Sequence, residues 1–233
     1  MTAIQGARER ARREVTAAIK EEARRRLAAE GAAKLSLRAV ARELGMVSSA
    51  LYRYFPSRDD LLTALIVDAY DAVGEAAEAA LTAVPDDAPP ADRWTAVCLA
   101  VRAWALAHPH EYALIHGTPV PGYAAPRDTV GPGTRVPLAL AAVAQRARLS
   151  GLLGEPAGDP PPGPVRAEAE ELAAEHAPGL PGPVMAALVA SWAQLIGLVG
   201  FEVFGQFNGV VVAARTEFFT HTVRRMAGDV GLR

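Results

Sequence analysis

The sequence contains a single cysteine, Cys98, so the chain cannot close an internal disulfide. Its first fifteen residues are polar and rich in arginine, and they lack the apolar core of a secretory signal peptide. A disulfide framework is therefore excluded, secretion need not be invoked, and we expect a cytoplasmic protein.

Signatures of the common enzyme classes are absent as well. The sequence has no Walker loop, no G-x-S-x-G, no G-x-G-x-x-G after a strand and no C-x-x-C. His108, His110 and His116 lie near Glu111, but two histidines that flank a proline do not share a helix face, and no cysteine assists them. We expect no catalytic residue, no cofactor and no metal ion.

Alternation of β-branched residues is also scarce, whereas hydrophobic residues make up 51% of the 233 residues and alanine-rich stretches are long. This composition favours α-helices over strands. A chain of this length could form one large or two small domains.

Basic residues are concentrated in the first quarter of the chain. Residues 1–58 contain 13 Lys and Arg against 6 Asp and Glu, a charge of +7; the remaining residues contain 11 against 20, a charge of −9. A basic segment of this kind is typical of a surface that neutralises DNA phosphates. A solvated basic face without a partner has the same composition.

Two short apolar-periodic segments lie within the basic region. The first has the i, i+3, i+4, i+7 spacing of one helix face, at Leu37, Val40, Ala41 and Leu44. Ser36 is its expected N-cap, and Gly45 is expected to end it. The second is predicted to form a helix from about Ser48 to Phe55, stopped by Pro56. Its outward side chains are Ser48, Ser49, Tyr52, Arg53 and Tyr54.

Two helices joined by a short turn that contains glycine form a helix-turn-helix unit, whose second helix enters the major groove of DNA. Small hydroxyl groups allow close approach to base edges, while tyrosine and arginine reach phosphates or guanine. An ordinary helical hairpin inside an all-α core has the same apolar spacing.

Three sequence features carry a family resemblance: LRAVA at positions 37–41, the G-x-x-x-x-x-LY spacing from Gly45 to Tyr52, and LYRYFPSRDDLL at positions 51–62. Through them, residues 14–72 resemble the DNA-binding domain of the TetR/AcrR family of bacterial transcriptional regulators. The resemblance implies an all-α fold of about nine helices. We expect a three-helix helix-turn-helix domain at 1–58 and a helical ligand-binding and dimerisation bundle at 59–233.

Residue by residue, the resemblance implies contacts with base edges from Arg38, Ser48, Ser49 and Tyr52. It implies contacts with phosphates from Arg53, Tyr54 and Arg58. Val47 stands where the family usually has a Ser or Thr cap, so Ser48 could serve as the cap instead. Ala39 replaces the acidic residue that would complete a capping box with Ser36.

The remaining helices follow from apolar spacing and from helix-breaking residues. A first helix is predicted over 14–30, with Lys20, Arg24, Arg25 and Arg26 near phosphates, after a basic arm or soluble tail at 1–13. A fourth helix, capped by Ser57, is predicted to extend to about Ala83. Further helices are predicted over 94–107 after an Asp92 cap, 110–116, 137–149, 165–177, 183–204 and 211–227. Residues near 117–136 and 150–164 are predicted to form surface loops or to be partly disordered.

The stretch WALAHPHEYALIHG at 104–117 resembles a WHG-type ligand domain that accompanies TetR-like DNA-binding domains. The side chains predicted to line or cap a cavity for a small effector are Trp104, His110, Tyr112 and His116. Aromatic packing in a dry core accounts for these residues equally well.

Residues 183–204 have only three clearly polar positions in 22, so a membrane span is an alternative to a core helix. The segment lacks flanking basic anchors and contains Glu202, which argues against a span. Small residues recur at a spacing that lets a partner helix approach closely, at Ala186, Ala190, Ala193, Gly197 and Gly200. Together with Phe218 of the last predicted helix, they predict a homodimer interface. We expect no contact with a membrane. A purely intramolecular bundle has the same pattern.

The resemblance and the residues together predict a homodimeric repressor that binds a palindromic double-stranded DNA operator and is released by a small-molecule effector. The alternative is an all-α small-molecule-binding or enzymatic domain in which the helix pair is only structural.

Overall fold

The structure, a computed structural model, describes residues 3–232, which form ten α-helices, two 3₁₀ helices and no β-strand. The all-α prediction is confirmed. The α-helices are α1 (Ala3–Glu30), α2 (Leu37–Glu43), α3 (Ser48–Leu51), α4 (Arg58–Ala83), α5 (Pro90–Ala107), α6 (Pro109–His116), α7 (Val130–Leu149), α8 (Gly163–His176), α9 (Gly182–Val203) and α10 (Arg215–Val230). The 3₁₀ helices span Ala32–Lys34 and Arg127–Thr129.

The chain divides into two compact units. The head unit comprises residues 3–69 and 110–130, and the body unit comprises residues 70–109 and 131–232. Helix α4 belongs to the head unit as far as Ala69 and to the body unit from Tyr70 onward. The predicted boundary after residue 58 divides the chain by function, into a DNA-binding part and a ligand-binding part, whereas the two units divide it by packing. The functional boundary stays a prediction.

The head unit buries one apolar cluster contributed by α1, α2, α3 and α4. Ile19, Leu51 and Leu61 lie fully buried within it. Val120 and Tyr123, from the segment after α6, pack against the same cluster, and the Tyr123 and Thr63 hydroxyl groups are 2.9 Å apart. Part of the segment predicted as a surface loop at 117–136 therefore completes the core of the head unit.

Several helices begin earlier than the sequence spacing predicted. Helix α1 already includes residues 3–13, because alanine, arginine and glutamate favour helix. Residues 1–2 of the predicted arm lie outside the described residues. Helix α5 begins at Pro90, since proline needs no N–H donor in a first turn, so Asp92 lies inside that turn and is not the cap. Helix α7 begins at Val130 and continues through Pro137.

The body unit packs α9 against α5, α8 and α10. Trp94 and Cys98 of α5, Leu195 of α9 and Phe219 of α10 are buried in its core. Burial raises the pKa of the Cys98 thiol, since the thiolate would be poorly solvated there.

A buried ion pair links α5 to α9 within this unit. The Arg102 guanidinium donates from Nε and Nη2 to the two carboxylate oxygens of Glu202, at 2.6 and 2.7 Å. Helix α9 is the one helix among the described residues with the length and mean hydropathy of a membrane span. Its inward face is nevertheless packed on protein and carries this charged pair, so α9 is a helix of the bundle rather than a membrane span.

The C-terminus of α10 is tied to the segment that follows α7. The Gly154 N–H donates to the Gly231 carbonyl at 2.8 Å, and the Ala157 N–H donates to the Asp229 carbonyl at 3.0 Å. Gly231 has a φ of 95°, and a Cβ there would lie 2.4 Å from the Gly154 carbonyl oxygen, so only glycine fits. Part of the predicted loop at 150–164 is thus fixed by backbone hydrogen bonds.

Candidate nucleic-acid interface

The turn between α2 and α3 has the geometry that the sequence predicted for Gly45. This residue has a φ of 63°, the left-handed conformation in which glycine is favoured. The Met46 N–H donates to the Ala41 carbonyl at 2.8 Å and the Gly45 N–H donates to the Arg42 carbonyl at 3.2 Å. These two hydrogen bonds form a Schellman motif, which ends α2 and sets the start of α3.

Helix caps are only partly as predicted. Ser57 caps α4: its hydroxyl oxygen accepts from the Asp60 N–H at 3.1 Å, and its O–H lies 2.7 Å from an Asp60 carboxylate oxygen. Ser36 is the N-cap residue of α2, as predicted, but its side chain does not make the expected capping hydrogen bond. Val47 is the residue before α3, and Ser48 is the first residue of that helix and not its cap.

Helix α3 is shorter than predicted, ending at Leu51 instead of Phe55. Tyr52, Arg53 and Tyr54 continue as a tighter turn, in which the Tyr54 N–H donates to the Leu51 carbonyl at 2.8 Å. Leu51 and Phe55 are buried at the two ends of this turn, and their anchoring in the core holds the side chains between them outward.

The predicted DNA-contacting side chains differ in exposure. Arg38, Ser49, Tyr52 and Arg53 are exposed, whereas Ser48 and Tyr54 are half-buried. The guanidinium of Arg12, on α1, lies over the Tyr54 ring at 5.4 Å from its centroid. This contact brings the N-terminal part of α1 to the segment that follows α3, and no spacing within the sequence predicts it.

Arg58 is engaged within the head unit. Its Nε donates to the Leu35 carbonyl at 3.2 Å, and its Nη2 donates to the Ala32 and Ala33 carbonyls at 3.0 and 3.2 Å. The remaining nitrogen, Nη1, lies 3.6 Å from the carboxylate of Asp59. Arg58 therefore satisfies backbone carbonyls of the α1–α2 connection, and its predicted phosphate contact depends on Nη1.

Four basic residues of α1 that were predicted to face phosphates are neutralised inside the head unit. Lys20 and Arg24 both pair with Asp68, at 2.7 and 2.6 Å, and Arg24 also pairs with Glu111 at 2.9 Å. Arg25 and Arg26 pair with Glu22, at 2.6 and 3.0 Å. The partners of Lys20 and Arg24 are distant in sequence, whereas Glu22 lies one turn from Arg25 and Arg26 on α1. A phosphate would have to compete with these carboxylates, and contact of the four residues with DNA stays a prediction.

Other arginines of the head unit keep their charge uncompensated. Eight of them form no ion pair with a carboxylate of the described residues: Arg8, Arg10, Arg12, Arg13, Arg38, Arg42, Arg53 and Arg127. All eight are exposed. The positive charge available to a polyanion therefore lies on the start of α1, on α2, on the turn after α3 and at Arg127.

The four predicted effector-binding residues do not line the cavity that the body unit contains. Trp104 lies in the body unit and stacks on His108 at 5.3 Å between ring centroids. His110, Tyr112 and His116 belong to the head unit, where the Tyr112 and His116 ring centroids are 5.1 Å apart. Burial lowers the pKa of His116 to about 4, so this imidazole is neutral at pH 7. Their role in effector binding stays a prediction.

The body unit has a cavity of about 180 Å³ between α7, α8 and α9. Its walls are largely apolar, including Leu140, Leu188 and Trp192, and Thr134 and His176 are its side chains with polar groups besides the Trp192 indole. No sequence pattern marked this cavity, because its walls come from three helices with long intervening segments. Among the described residues, no group of three or more His, Cys, Asp or Glu side chains could hold a metal ion.

A helix-turn-helix with exposed, uncompensated arginines, on an otherwise helical protein, defines a DNA-binding transcriptional regulator. Residues 19–65 match the family model described as bacterial regulatory proteins, tetR family, and residues 94–226 match the one described as tetracyclin repressor-like, C-terminal domain. The chain belongs to the TetR family, whose members are regulators and not enzymes.

Similar proteins cover nearly the whole chain. HTH-type transcriptional regulators Rv1816 of Mycobacterium tuberculosis and Mb1846 of Mycobacterium bovis are each 41% identical over 225 residues, which covers 91% of this chain and 93% of theirs. The crystal structure of regulatory protein SCO4313 superposes with a TM-score of 0.74 at 33% identity, over 94% of this chain and 98% of that one. Membership in the family therefore extends from the head unit through the body unit.

Proposed function

We propose that this regulator is a homodimeric cytoplasmic repressor that binds a palindromic operator and leaves it when a small-molecule effector binds. The observation that carries the proposal is the α2–α3 unit. It presents Arg38, Ser49, Tyr52 and Arg53 to solvent, and its arginines lack carboxylate partners among the described residues. Such side chains bind phosphates and base edges of duplex DNA.

The outward face of α9 supports the homodimer. Ala190, Ala193 and Gly197 are exposed, and Ala186 and Gly200 are half-buried. A Cβ at Gly197 would meet nothing within 4 Å, so this side of the helix is open to a close partner. Large apolar side chains are exposed on the same helix and beyond it, at Val189, Phe201, Phe204, Val210, Val212 and Phe218. A second copy of the chain would bury these side chains in a four-helix interface formed by α9 and α10.

A two-fold dimer would present two copies of α3 to successive major-groove segments. Half-sites read in this way are separated by about 34–36 Å, one turn of the double helix. A two-fold protein also requires a two-fold DNA site, which is why we propose a palindromic operator.

The cavity between α7, α8 and α9 supports release by an effector. Its apolar walls, with Thr134 and His176 as polar groups, suit a compact, largely apolar molecule. The first turns of α7 line this cavity through Gly133 and Thr134, and the next residue, Arg135, holds α4. The Arg135 guanidinium donates to both carboxylate oxygens of Glu78, at 2.9 and 2.7 Å, and to the side chain of Asp71 at 2.9 Å.

Arg135 therefore connects the wall of the cavity to α4. Arg135 lies against Gly74 of α4, where an added Cβ would be 2.7 Å from the Arg135 Cβ, so the two helices are in close contact. The hydrogen bonds from Arg135 also lower the pKa of Glu78. A ligand that displaced the first turns of α7 would therefore move the part of α4 that belongs to the body unit, and a coupling of about 1 to 3 kcal/mol is typical of such links.

Binding to the DNA upstream of its own gene tests the proposed function. We expect the full-length protein to bind a labelled upstream duplex at nanomolar concentration in moderate salt, and at least a thousandfold more weakly on a random duplex, a ratio of the order typical for specific regulators. Footprinting should protect two symmetric half-sites. Equal affinity for both duplexes would rule out the operator-binding function.

Filling the cavity should abolish ligand-induced stabilisation without abolishing DNA binding. Small alkylbenzenes are suitable probes, since a dry apolar cavity of about 150 Å³ accepts benzene. In the wild-type protein they should raise the thermal midpoint with increasing concentration. In Leu172→Trp, where a large ring replaces a part-exposed leucine of the cavity rim, we expect the shift to disappear.

Leu149→Trp is the matched control, because Leu149 is exposed and is not part of the cavity wall. It should leave the ligand-induced shift unchanged. If the probe raises the thermal midpoint equally in wild type and Leu172→Trp, the probe binds elsewhere and the cavity is not the effector site.

A further inference from the structure

One face of α1 changes from apolar to basic along its length. Ile19 and Val15 lie on the face that packs on the core of the head unit. The same face continues toward the N-terminus through Arg12 and Arg8, since the four residues are separated by four, three and four positions. The face that buries apolar side chains beside α2 and α4 therefore presents two arginines where α1 extends past the core.

The Arg12 side chain is positioned by a residue of the predicted DNA interface. Its guanidinium lies 5.4 Å from the centroid of the Tyr54 ring. Such a cation–π contact holds the guanidinium plane while leaving its N–H groups free to donate. Tyr54 lies in the turn directly after α3, so the contact fixes the N-terminal turns of α1 next to the recognition helix.

Arg8 lies one helical turn beyond Arg12 on the same face. Four residues of α-helix rise about 6 Å, so the two side chains leave the same face of α1 one turn apart. Both arginines are exposed and neither forms an ion pair with a carboxylate of the described residues. Two adjacent cations with free donors, held beside a recognition helix, suit the phosphates of one strand.

We propose that the N-terminal turns of α1 form a second DNA-contact surface, in which Arg8 and Arg12 bind phosphates next to the base pairs that α3 reads. The inference rests on the proposed DNA-binding role of the α2–α3 unit. It extends the protein's contact with DNA beyond the helix-turn-helix. Phosphate contacts there would add to the free energy of binding independently of base sequence.

The salt dependence of DNA binding separates this proposal from a general effect of charge. Affinity of the full-length protein should be measured by fluorescence anisotropy at several KCl concentrations, on the upstream duplex and on a random duplex. Because log K falls as log salt rises, with a slope of about −0.9 for each phosphate contact, loss of one contact reduces the magnitude of this slope by about 0.9. We therefore expect Arg8→Ala and Arg12→Ala each to reduce the slope by that amount, and the double variant by about 1.8, on both duplexes.

Arg10→Ala is the matched control. It removes the same charge from the same exposed helix, but Arg10 lies two residues from both Arg8 and Arg12 and so on the opposite face of α1. We expect its slope to equal that of the wild type. Equal slope losses in Arg10→Ala and Arg12→Ala, or unchanged slopes in Arg8→Ala and Arg12→Ala, would overturn the proposal.

Substitutions of Tyr54 test whether its ring positions Arg12. In Tyr54→Phe the ring remains, so Arg12→Ala should still reduce the slope. In Tyr54→Leu the aromatic platform is lost, and the additional effect of Arg12→Ala on affinity should shrink, which a double-mutant cycle measures. An Arg12→Ala effect of equal size in both backgrounds would remove Tyr54 from the proposal. A wild-type protein that binds neither duplex would instead refute the DNA-binding function itself.

Discussion

Glu202→Ala is expected to destabilise the protein by about 3 to 5 kcal/mol, the usual cost of leaving one partner of a buried ion pair without its counter-charge. Glu202 and Arg102 have side-chain exposures of 6% and 13%, so both charges are largely removed from water. The Arg102 guanidinium also lies 5.2 Å from the centroid of the Phe219 ring of α10. Without Glu202, the Arg102 guanidinium would keep, among the described residues, only the Thr216 hydroxyl, at 3.3 Å, and the face of the Phe219 ring as partners.

Urea denaturation followed by circular dichroism, at a fixed protein concentration, measures this effect. The matched control is Glu170→Ala, which breaks an exposed pair with Arg166 and should cost less than about 1 kcal/mol. The double variant Arg102→Met, Glu202→Leu removes both charges and should recover most of the stability, because apolar residues of similar volume often replace a buried pair without loss. Equal destabilisation in Glu202→Ala and Glu170→Ala would show that the pair is not buried in solution.

Ala190→Trp is expected to convert the proposed dimer into monomers and to weaken operator binding by about 10² to 10⁴. Ala190 is exposed on α9, so a large ring is tolerated within one copy of the chain but prevents close approach of a second. The loss is large because linking two head units makes the second half-site contact intramolecular. Light scattering gives the mass, and anisotropy with the upstream duplex gives the affinity.

The matched control for this substitution is Ala174→Trp. Ala174 is exposed on α8 and lies outside the proposed α9–α10 interface, so its replacement should leave both mass and affinity unchanged. If Ala190→Trp has the mass of a dimer, the small residues of α9 do not form the interface. A monomeric wild-type protein that still binds a palindromic duplex tightly would contradict the dimer proposal altogether.

Local features of the head unit could be predicted from the sequence because they depend on residues a few positions apart. Gly45 ends α2, Ser57 caps α4 and the helix breaks at His108–Pro109, all as expected. Each follows from one residue type with a conformational or hydrogen-bonding preference that neighbours do not change. Ser36 is the exception, since a serine at an N-cap position need not form the capping hydrogen bond.

Partners distant in sequence could not be predicted. The sequence showed a basic α1, but not that Asp68 and Glu111 would neutralise Lys20 and Arg24. It showed Glu202 in an apolar helix, but not Arg102, one hundred positions away. Which arginines remain free for DNA therefore emerged only from the folded head unit, as did the position of Arg12 over Tyr54.

The sequence by itself determined the all-α class, the helix-turn-helix and the family, because apolar periodicity, turn glycine and helix caps act between residues within a few positions. Only the tertiary structure decided where the uncompensated positive charge lies, that residues 110–130 complete the head unit, and that an apolar cavity forms between α7, α8 and α9. These features arise from side chains far apart in the chain. Their proximity depends on how whole helices pack, and the spacing of residues within any one helix does not encode it.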